Sequence, residues 1–226
     1  MLVKNWMSKP VITIHAEDYM QNATKLLKEH DFRMLPVMQA GKLVGIVTDR
    51  DLKRASASDA TSLEIHEVLY LLSNIKVKHI MTKAPITVPP DYTVEETAET
   101  LLNNKISGVP VVDSAGAVVG VITQSDLFRV MISLTGIREK GIQFACEVED
   151  RPGAIKEITN TIGEFSGRIV SVLTTYETTS DGYRKIYIRA YQIDRKKLPE
   201  LQKILKEKTN MLYMVDHREN IRTIYG

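Results

Sequence analysis

The sequence predicts a mixed α/β (α+β) chain: two copies of one βαββα-type unit packed as a pair, then a single βαββαβ unit. Three observations predict this. A repeat runs at a spacing of about 74 residues: Val3-Lys4 and Met7 return as Val77-Lys78 and Met81, Ile12-Thr13-Ile14 as Ile86-Thr87-Val88, and Pro36-Val37 as Pro110-Val111. The repeat then continues one residue further apart. Gly45-Ile46-Val47-Thr48 returns as Gly120-Val121-Ile122-Thr123, Asp51-Leu52 as Asp126-Leu127, and Arg54 as Arg129. The extra residue lies before Gly116, in a turn, where insertions are tolerated. Finally, the pattern changes at Gly141, where a new alternation of strand and helix periods begins. Two copies are too few for a solenoid. Each unit must instead bury the apolar surface that the other leaves exposed.

Each copy reads in the same order. A short strand (Val11–Ile14, Ile86–Val88) precedes a helix (about Asp18–His30 and Thr93–Asn104), where Val94, Thr97, Ala98, Leu101 and Leu102 keep helical spacing. Two apolar runs around a glycine-containing turn follow: Leu35–Met38 with Leu43–Val47, and Val109–Val112 with Val118–Ile122. A second helix starts near Asp51 and near Asp126. Between the copies, the apolar spacing of Leu63, Val68, Leu69, Leu71 and Leu72 predicts a linking helix over Ser62–Asn74. The copies take residues 1–56 and 77–132, with 57–76 as the link and 133–140 as a linker to the last unit.

That unit occupies 141–217. Ile142–Val148 is a strand, and Asp150-Arg151-Pro152-Gly153 is a turn into a helix with Ile155, Ile158, Ile162 and Phe165 on one face. Pro152 suits the first helical turn and Gly167 the position just past its end. Ile169–Glu177 and Tyr183–Tyr191 are strands joined through Ser180-Asp181-Gly182, a hairpin signal. Lys197–Lys208 is an amphipathic helix and Asn210–Val215 a last strand. This order is ferredoxin-like. Residues 218–226 read as a C-terminal tail.

Composition bounds the function. The 226 residues are 43% hydrophobic and 26% charged, with 30 basic and 28 acidic side chains and a net charge of +2. This balance argues against a nucleic-acid binder. Cys146 stands alone, which suits a reducing compartment. No stretch approaches 18 apolar residues, and the N-terminus lacks the pattern of a secretory signal. The expectation is a cytoplasmic protein that touches no membrane. None of the five histidines has a partner at zinc spacing. No nucleophile elbow, Walker loop or Gly-x-Gly-x-x-Gly occurs. The reading is therefore no enzyme, no metal and no cofactor.

The order Val-x-x-x-Met, x-Pro-Val, Gly-x-x-Thr-x-x-Asp-Leu, present twice over about residues 1–132, resembles a CBS domain pair, or Bateman module. Asp150-Arg151-Pro152-Gly153-Ala154-Ile155 at a strand–helix junction is similar to the signature of ACT domains, regulatory modules that commonly bind amino acids at a dimer interface. The combined CBS–CBS–ACT order resembles the B-type accessory proteins of acetoin utilisation. The resemblance implies a regulatory protein, a homodimer, an unnamed regulated enzyme and an adenosine-containing ligand (AMP, ADP, ATP, S-adenosylmethionine or an NAD-type dinucleotide). The ligand is a signal and not a cofactor.

The chemistry of the repeated Thr-x-x-Asp fits such a ligand. Thr48–Asp51 and Thr123–Asp126 lie where an apolar strand meets a helix. A helix N-terminus favours phosphate, a Thr hydroxyl can donate to it, and an Asp one turn later can accept from ribose hydroxyls. Arg54 and Arg129, one turn further, can reach a phosphate. The plain alternative is a capping box with no ligand. Asp49 adds a carboxylate to the first copy, offset by Arg50, where the second has neutral Gln124 and Ser125, so charge ranks the second copy first. The resemblance adds Ile14, Arg33 and Met34 in the first copy and Thr87, Ser107 and Gly108 in the second as cleft-lining positions, although Met34 and Ile14 also suit a core. In the last unit it implies an amino-acid site at Asp150, Pro152, Gly153, Ala154 and Ile155. An alternative to ligand sensing is a dimerisation scaffold with empty clefts.

Overall fold

The computed structural model describes residues 1–58 and 74–225, with the backbone alone for 56–58. The expected linking helix over Ser62–Asn74 lies outside the described residues, apart from Asn74. The chain forms two compact units, Met1–Phe128 and Arg129–Gly226.

In the first unit, copy one contains β1 (Ile14–His15), α1 (Met20–Glu29), β2 (Met34–Gln39), β3 (Lys42–Thr48) and α2 (Asp49–Ser58). Copy two opens with a short α3 (Val77–Ile80) and β4 (Thr82–Lys83), followed by α4 (Val94–Asn103), β5 (Gly108–Val112) and β6 (Val118–Thr123). The helix α5 (Gln124–Thr135) follows. The hairpins β2–β3 and β5–β6 match the expected runs to within one or two residues. The first strand is shorter than expected: only Ile14–His15 in copy one, and in copy two a single parallel bridge from Val88 to Val111. On α4, Val94, Thr97 and Leu101 are buried as the spacing predicts, but Leu102 is 73% exposed and faces away from the core.

Each copy completes the sheet of the other. The order β1-β2-β3-β4 places β4, from the opening of copy two, against β3 of copy one. The mirror relation is the bridge of Ser8, from the opening of copy one, to Val121 on β6. The supporting bonds repeat at the same spacing. Val3 N–H donates to the Tyr92 carbonyl at 2.8 Å and Val77 N–H to the Asp18 carbonyl at 2.9 Å. Val94 N–H donates to Met1, and Met20 N–H to Ile75, both at 2.8 Å. Val3 and Val77 are fully buried, and Val77 joins the core of Ile14, Ala16, Leu27, Leu35, Val37, Val47 and Leu52. Burying one such side chain removes roughly 1.5–3 kcal/mol of unfavourable hydration. The two halves therefore share one fold.

The second unit runs β7 (Ile142–Glu149), α6 (Ala154–Glu164), β8 (Arg168–Thr175), β9 (Tyr183–Tyr191), α7 (Leu198–Lys208), β10 (Asn210–Asp216) and β11 (Ile221–Ile224). All its strand pairs are antiparallel, in the order β11-β10-β7-β9-β8. Ile142, Phe144, Cys146, Ile186 and Ile188 form one apolar face, packed with Ile158, Ile162, Leu201 and Leu205 of the two helices. Cys146 is thus a buried core residue, and burial pushes its thiol pKa up.

Three local expectations are corrected here. Pro152 precedes the N-cap of α6, which is Gly153 at φ +91°, so the proline shapes the approach and not the first turn. At the end of that helix Ser166 takes the left-handed position, at φ 60°. Gly167 follows it, donating to the Ile162 carbonyl at 3.0 Å. A β-carbon on Gly167 would stand 2.5 Å from Ile162 Cγ2 and 3.0 Å from Ile193 Cγ1, so glycine is needed there for closeness and not for its φ. The supposed tail carries β11, which pairs with the edge of β10.

Candidate functional site

Each Thr-x-x-Asp sits at the junction of the second hairpin strand and the helix that follows. Thr48 ends β3 and Asp49 begins α2; Thr123 ends β6 and Gln124 begins α5. In copy one, Thr48 N–H donates to Asp51 Oδ2 at 2.9 Å and the Thr48 hydroxyl to the same oxygen at 2.7 Å. Asp51 N–H returns a bond to Thr48 Oγ1 at 3.2 Å. In copy two the first two bonds recur at 2.8 and 2.7 Å. Asp126 is 1% exposed, whereas Asp51 is partly exposed.

This arrangement is a capping box in which an aspartate closes the turn. The same three bonds occur at Thr93 and Glu96, at 2.7, 2.8 and 3.1 Å, where α4 starts. The bonds alone therefore do not mark a ligand. What differs is the setting: the two Thr-x-x-Asp turns lie at the ends of paired strands, and the hairpins bring further residues to them. Met34 stands directly opposite Thr48, and Gly108 directly opposite Thr123. Arg33 and Ser107, both exposed, offer their carbonyls to the first helical N–H groups, Asp49 at 3.2 Å and Gln124 at 2.9 Å.

The two hairpins also meet each other. The Met34 Cε atom lies 3.2 Å from the point where a β-carbon on Gly108 would stand, and Thr123 Cγ2 lies 2.9 Å from that point. Thr48, Met34, Gly108 and Thr123 thus form one continuous row across the pair. Arg54 and Arg129 are exposed on their helices. Ile14 is 3% exposed and belongs to the core, pairing in parallel with Val37. Its counterpart is Val88, 1% exposed, and not Thr87, which is exposed.

In the second unit, Asp150, Pro152, Gly153, Ala154 and Ile155 line a surface depression of 710 Å³ with Arg151, Lys156, Thr159 and Arg184. Arg184 Nε donates to Asp150 Oδ1 at 2.7 Å, and its guanidinium lies over the Tyr176 ring, 5.0 Å from the centroid. Arg151 holds Glu157 in a bidentate pair at 2.8 and 2.7 Å. The sequence reading missed Arg184 and Tyr176. Their signal is the β7–β9 register, which sets Arg184 opposite Val148, two residues before Asp150. Among the described residues no cluster of three or more His, Cys, Asp or Glu could hold a metal ion. No helix among them is long and apolar enough to cross a membrane.

Comparison with known proteins matches the geometry of the first unit. The CBS domain model matches residues 3–58 and 77–133. Inosine-5'-monophosphate dehydrogenase of Korarchaeum cryptofilum is 36% identical over 125 residues, which cover 55% of this chain and 23% of that protein. This chain thus spans about a quarter of that relative. The solved CBS domain pair of protein MJ0100, in complex with 5'-methylthioadenosine and S-adenosyl-L-methionine, is 36% identical. It covers 58% of this chain and 95% of that one, with a TM-score of 0.50. A protein assigned to acetoin utilization from Vibrio cholerae is 28% identical with a TM-score of 0.52, covering 62% of this chain and 96% of that one. With its family model matched twice, across half of its length and at the two copies of the repeat, the chain belongs to the CBS domain family.

Proposed function

We propose that this chain is a regulatory ligand sensor and not an enzyme. Its CBS pair offers two seats for an adenosine-containing nucleotide, Thr48–Asp51 and Thr123–Asp126, of which one or both are used. The observation that carries the proposal is the duplicated Thr–Asp turn, set at a helix start beside the Met34–Gly108 row. The 36% identical pair solved with 5'-methylthioadenosine and S-adenosyl-L-methionine supports this ligand class. A ligand that prefers one arrangement of the pair shifts the population toward it.

The second unit is read as an ACT-type, ferredoxin-like domain. Its βαββαβ order, with strands arranged β10-β7-β9-β8, supports this. The depression beside Gly153 is the amino-acid site of this reading, with helical N–H groups available to a carboxylate. The proposed assembly is a cytoplasmic homodimer acting on a metabolic enzyme, and the Vibrio cholerae neighbour points to acetoin utilisation.

Thermal melting of the full chain against adenosine nucleotides, S-adenosylmethionine and amino acids tests the proposal. A ligand at about 100 times Kd adds roughly 2.7 kcal/mol, a shift of several degrees at this size. The shift is expected to disappear in the Asp51→Asn, Asp126→Asn double variant, which keeps an oxygen for each cap. No shift with any nucleotide sinks the sensor reading. It would favour a dimerisation scaffold with empty clefts, in which the Thr–Asp turns act only as helix caps, as the Thr93–Glu96 turn does.

A further inference from the structure

We infer that the two nucleotide seats of the pair are unequal: one adenosine ligand binds per chain, at Thr48–Asp51, because Met34 fills the seat at Thr123–Asp126. This rests on the nucleotide reading above. The correspondence between copies holds at Val3 and Val77, Met7 and Met81, and Thr48 and Thr123, but it fails at Met34, whose counterpart is Gly108. Both residues stand opposite their threonine, at the same place in each hairpin. One seat therefore has a thioether side chain at that point and the other has none.

The side chain of Met34 reaches across to the other copy. Its methyl end lies 3.2 Å from the point where a β-carbon on Gly108 would stand, and the Thr123 methyl lies 2.9 Å from the same point. It closes against the space that glycine leaves open, and Met34 itself is only 8% exposed. The two carboxylates agree with this. Asp51 is partly exposed and open to a ribose hydroxyl, whereas Asp126 is 1% exposed.

Charge argues the other way, since Asp49 begins α2 and neutral Gln124 begins α5. Asp49 is paired with Lys53 at 3.5 Å on an exposed surface, however, and exposed charges act weakly through water. Steric filling does not weaken with solvent, because a ligand atom and a methyl group cannot share one volume. Geometry thus outweighs the charge difference that favours the second copy.

Isothermal titration of the full chain with S-adenosylmethionine, and separately with AMP, tests this. The native chain is expected to take up one equivalent, and Asp51→Asn to weaken it at least tenfold. Met34→Ala should admit a second equivalent, which the further change Asp126→Asn removes. Two equivalents in the native chain overturn the inference. So does a single equivalent whose affinity survives Asp51→Asn, a result that does not depend on Met34→Ala folding. Uptake of neither ligand overturns the nucleotide reading itself, and the seat assignment with it.

Discussion

Met81 of the second copy lies against Gly45 of the first, its sulfur 2.6 Å from the point where a β-carbon on Gly45 would stand. Met7 of the first copy lies in the same way against Gly120 of the second. In sequence, Val-x-x-x-Met and Gly-x-x-Thr are two features of one copy. In the fold they form a contact between copies, made twice, and the glycines are there to let the methionines in.

The two contacts differ in one respect. The atoms nearest a β-carbon on Gly120 all belong to the flexible side chain of Met7, whereas one on Gly45 also stands 2.8 Å from the Thr82 carbonyl. Overpacking costs about 1–3 kcal/mol. Gly120→Ala is expected to lose that much, and adding Met7→Ala to recover part of it. Gly45→Ala should not be recovered by Met81→Ala, because the backbone carbonyl remains. Urea midpoints in two double-mutant cycles measure this, and equal coupling in both cycles contradicts it.

The cap at Thr93 separates stability from binding. Thr93→Ala and Thr48→Ala each remove a cap hydroxyl and should each lower stability by about 1 kcal/mol. Only Thr48→Ala should also weaken the adenosine ligand. Parallel melting and titration of the two variants decide this, and equal losses of affinity would count against the nucleotide role of Thr48.

Glu17 joins the copies by charge. It accepts from Lys76 Nζ at 2.7 Å and from Lys78 Nζ at 2.8 Å, and these bonds hold its carboxyl at about 2, below the ordinary value of 4.5. A depressed carboxylate contributes stability that is present above its unfolded value and lost as pH falls toward its folded value. The melting-temperature gap between the native chain and Glu17→Gln should therefore be constant at neutral pH and close between about 4.5 and 2. The group is partly exposed, so 1 M salt should shrink the gap at neutral pH. A gap that widens on acidification contradicts the assignment.

Arg189 holds the end of α5. It is 3% exposed, and its Nε–H donates to the Thr135 carbonyl at 2.7 Å, where the Ser171 hydroxyl also donates at 3.0 Å. Burial pushes its pKa down, and no carboxylate is bonded to it among the described residues. The carbonyl end of a helix carries partial negative charge, which suits a guanidinium. In Arg189→Met, amide exchange at Gly136–Lys140 is expected to quicken by about ten- to a hundredfold, the loss of one charge-assisted bond of roughly 1.5–3 kcal/mol. Unchanged exchange there would show that Ser171 suffices.

Much of this was legible from residue order alone. The hairpins, α1, α4, α6 and α7 follow from periods of 2 and 3.6, which are local properties of the chain. The Thr–Asp turns were legible too, because a cap is made within four residues. Several things were not. Leu102 keeps helical spacing yet faces outward, since spacing does not reveal how wide the covered stripe is. Ile14 and Thr87 were set as cleft positions of the two copies, although the repeat itself aligns Ile14 with Val88; that both of these lie in the core while Thr87 is exposed follows from successive strand residues facing opposite sides. The strand β11 was read as tail because four residues alternate too briefly to stand out.

The sequence by itself determined that two equivalent units exist, where their strands and helices lie, and that each carries the same polar turn. These depend on neighbours along the chain. Only the tertiary structure decided that β4 and Ser8 complete each other's sheets, that Met7 and Met81 trade glycines, and that Met34 crosses to Gly108. Those contacts join residues more than 30 positions apart. They are selected by shape complementarity in a shared core, which a linear pattern of apolar and polar residues does not encode.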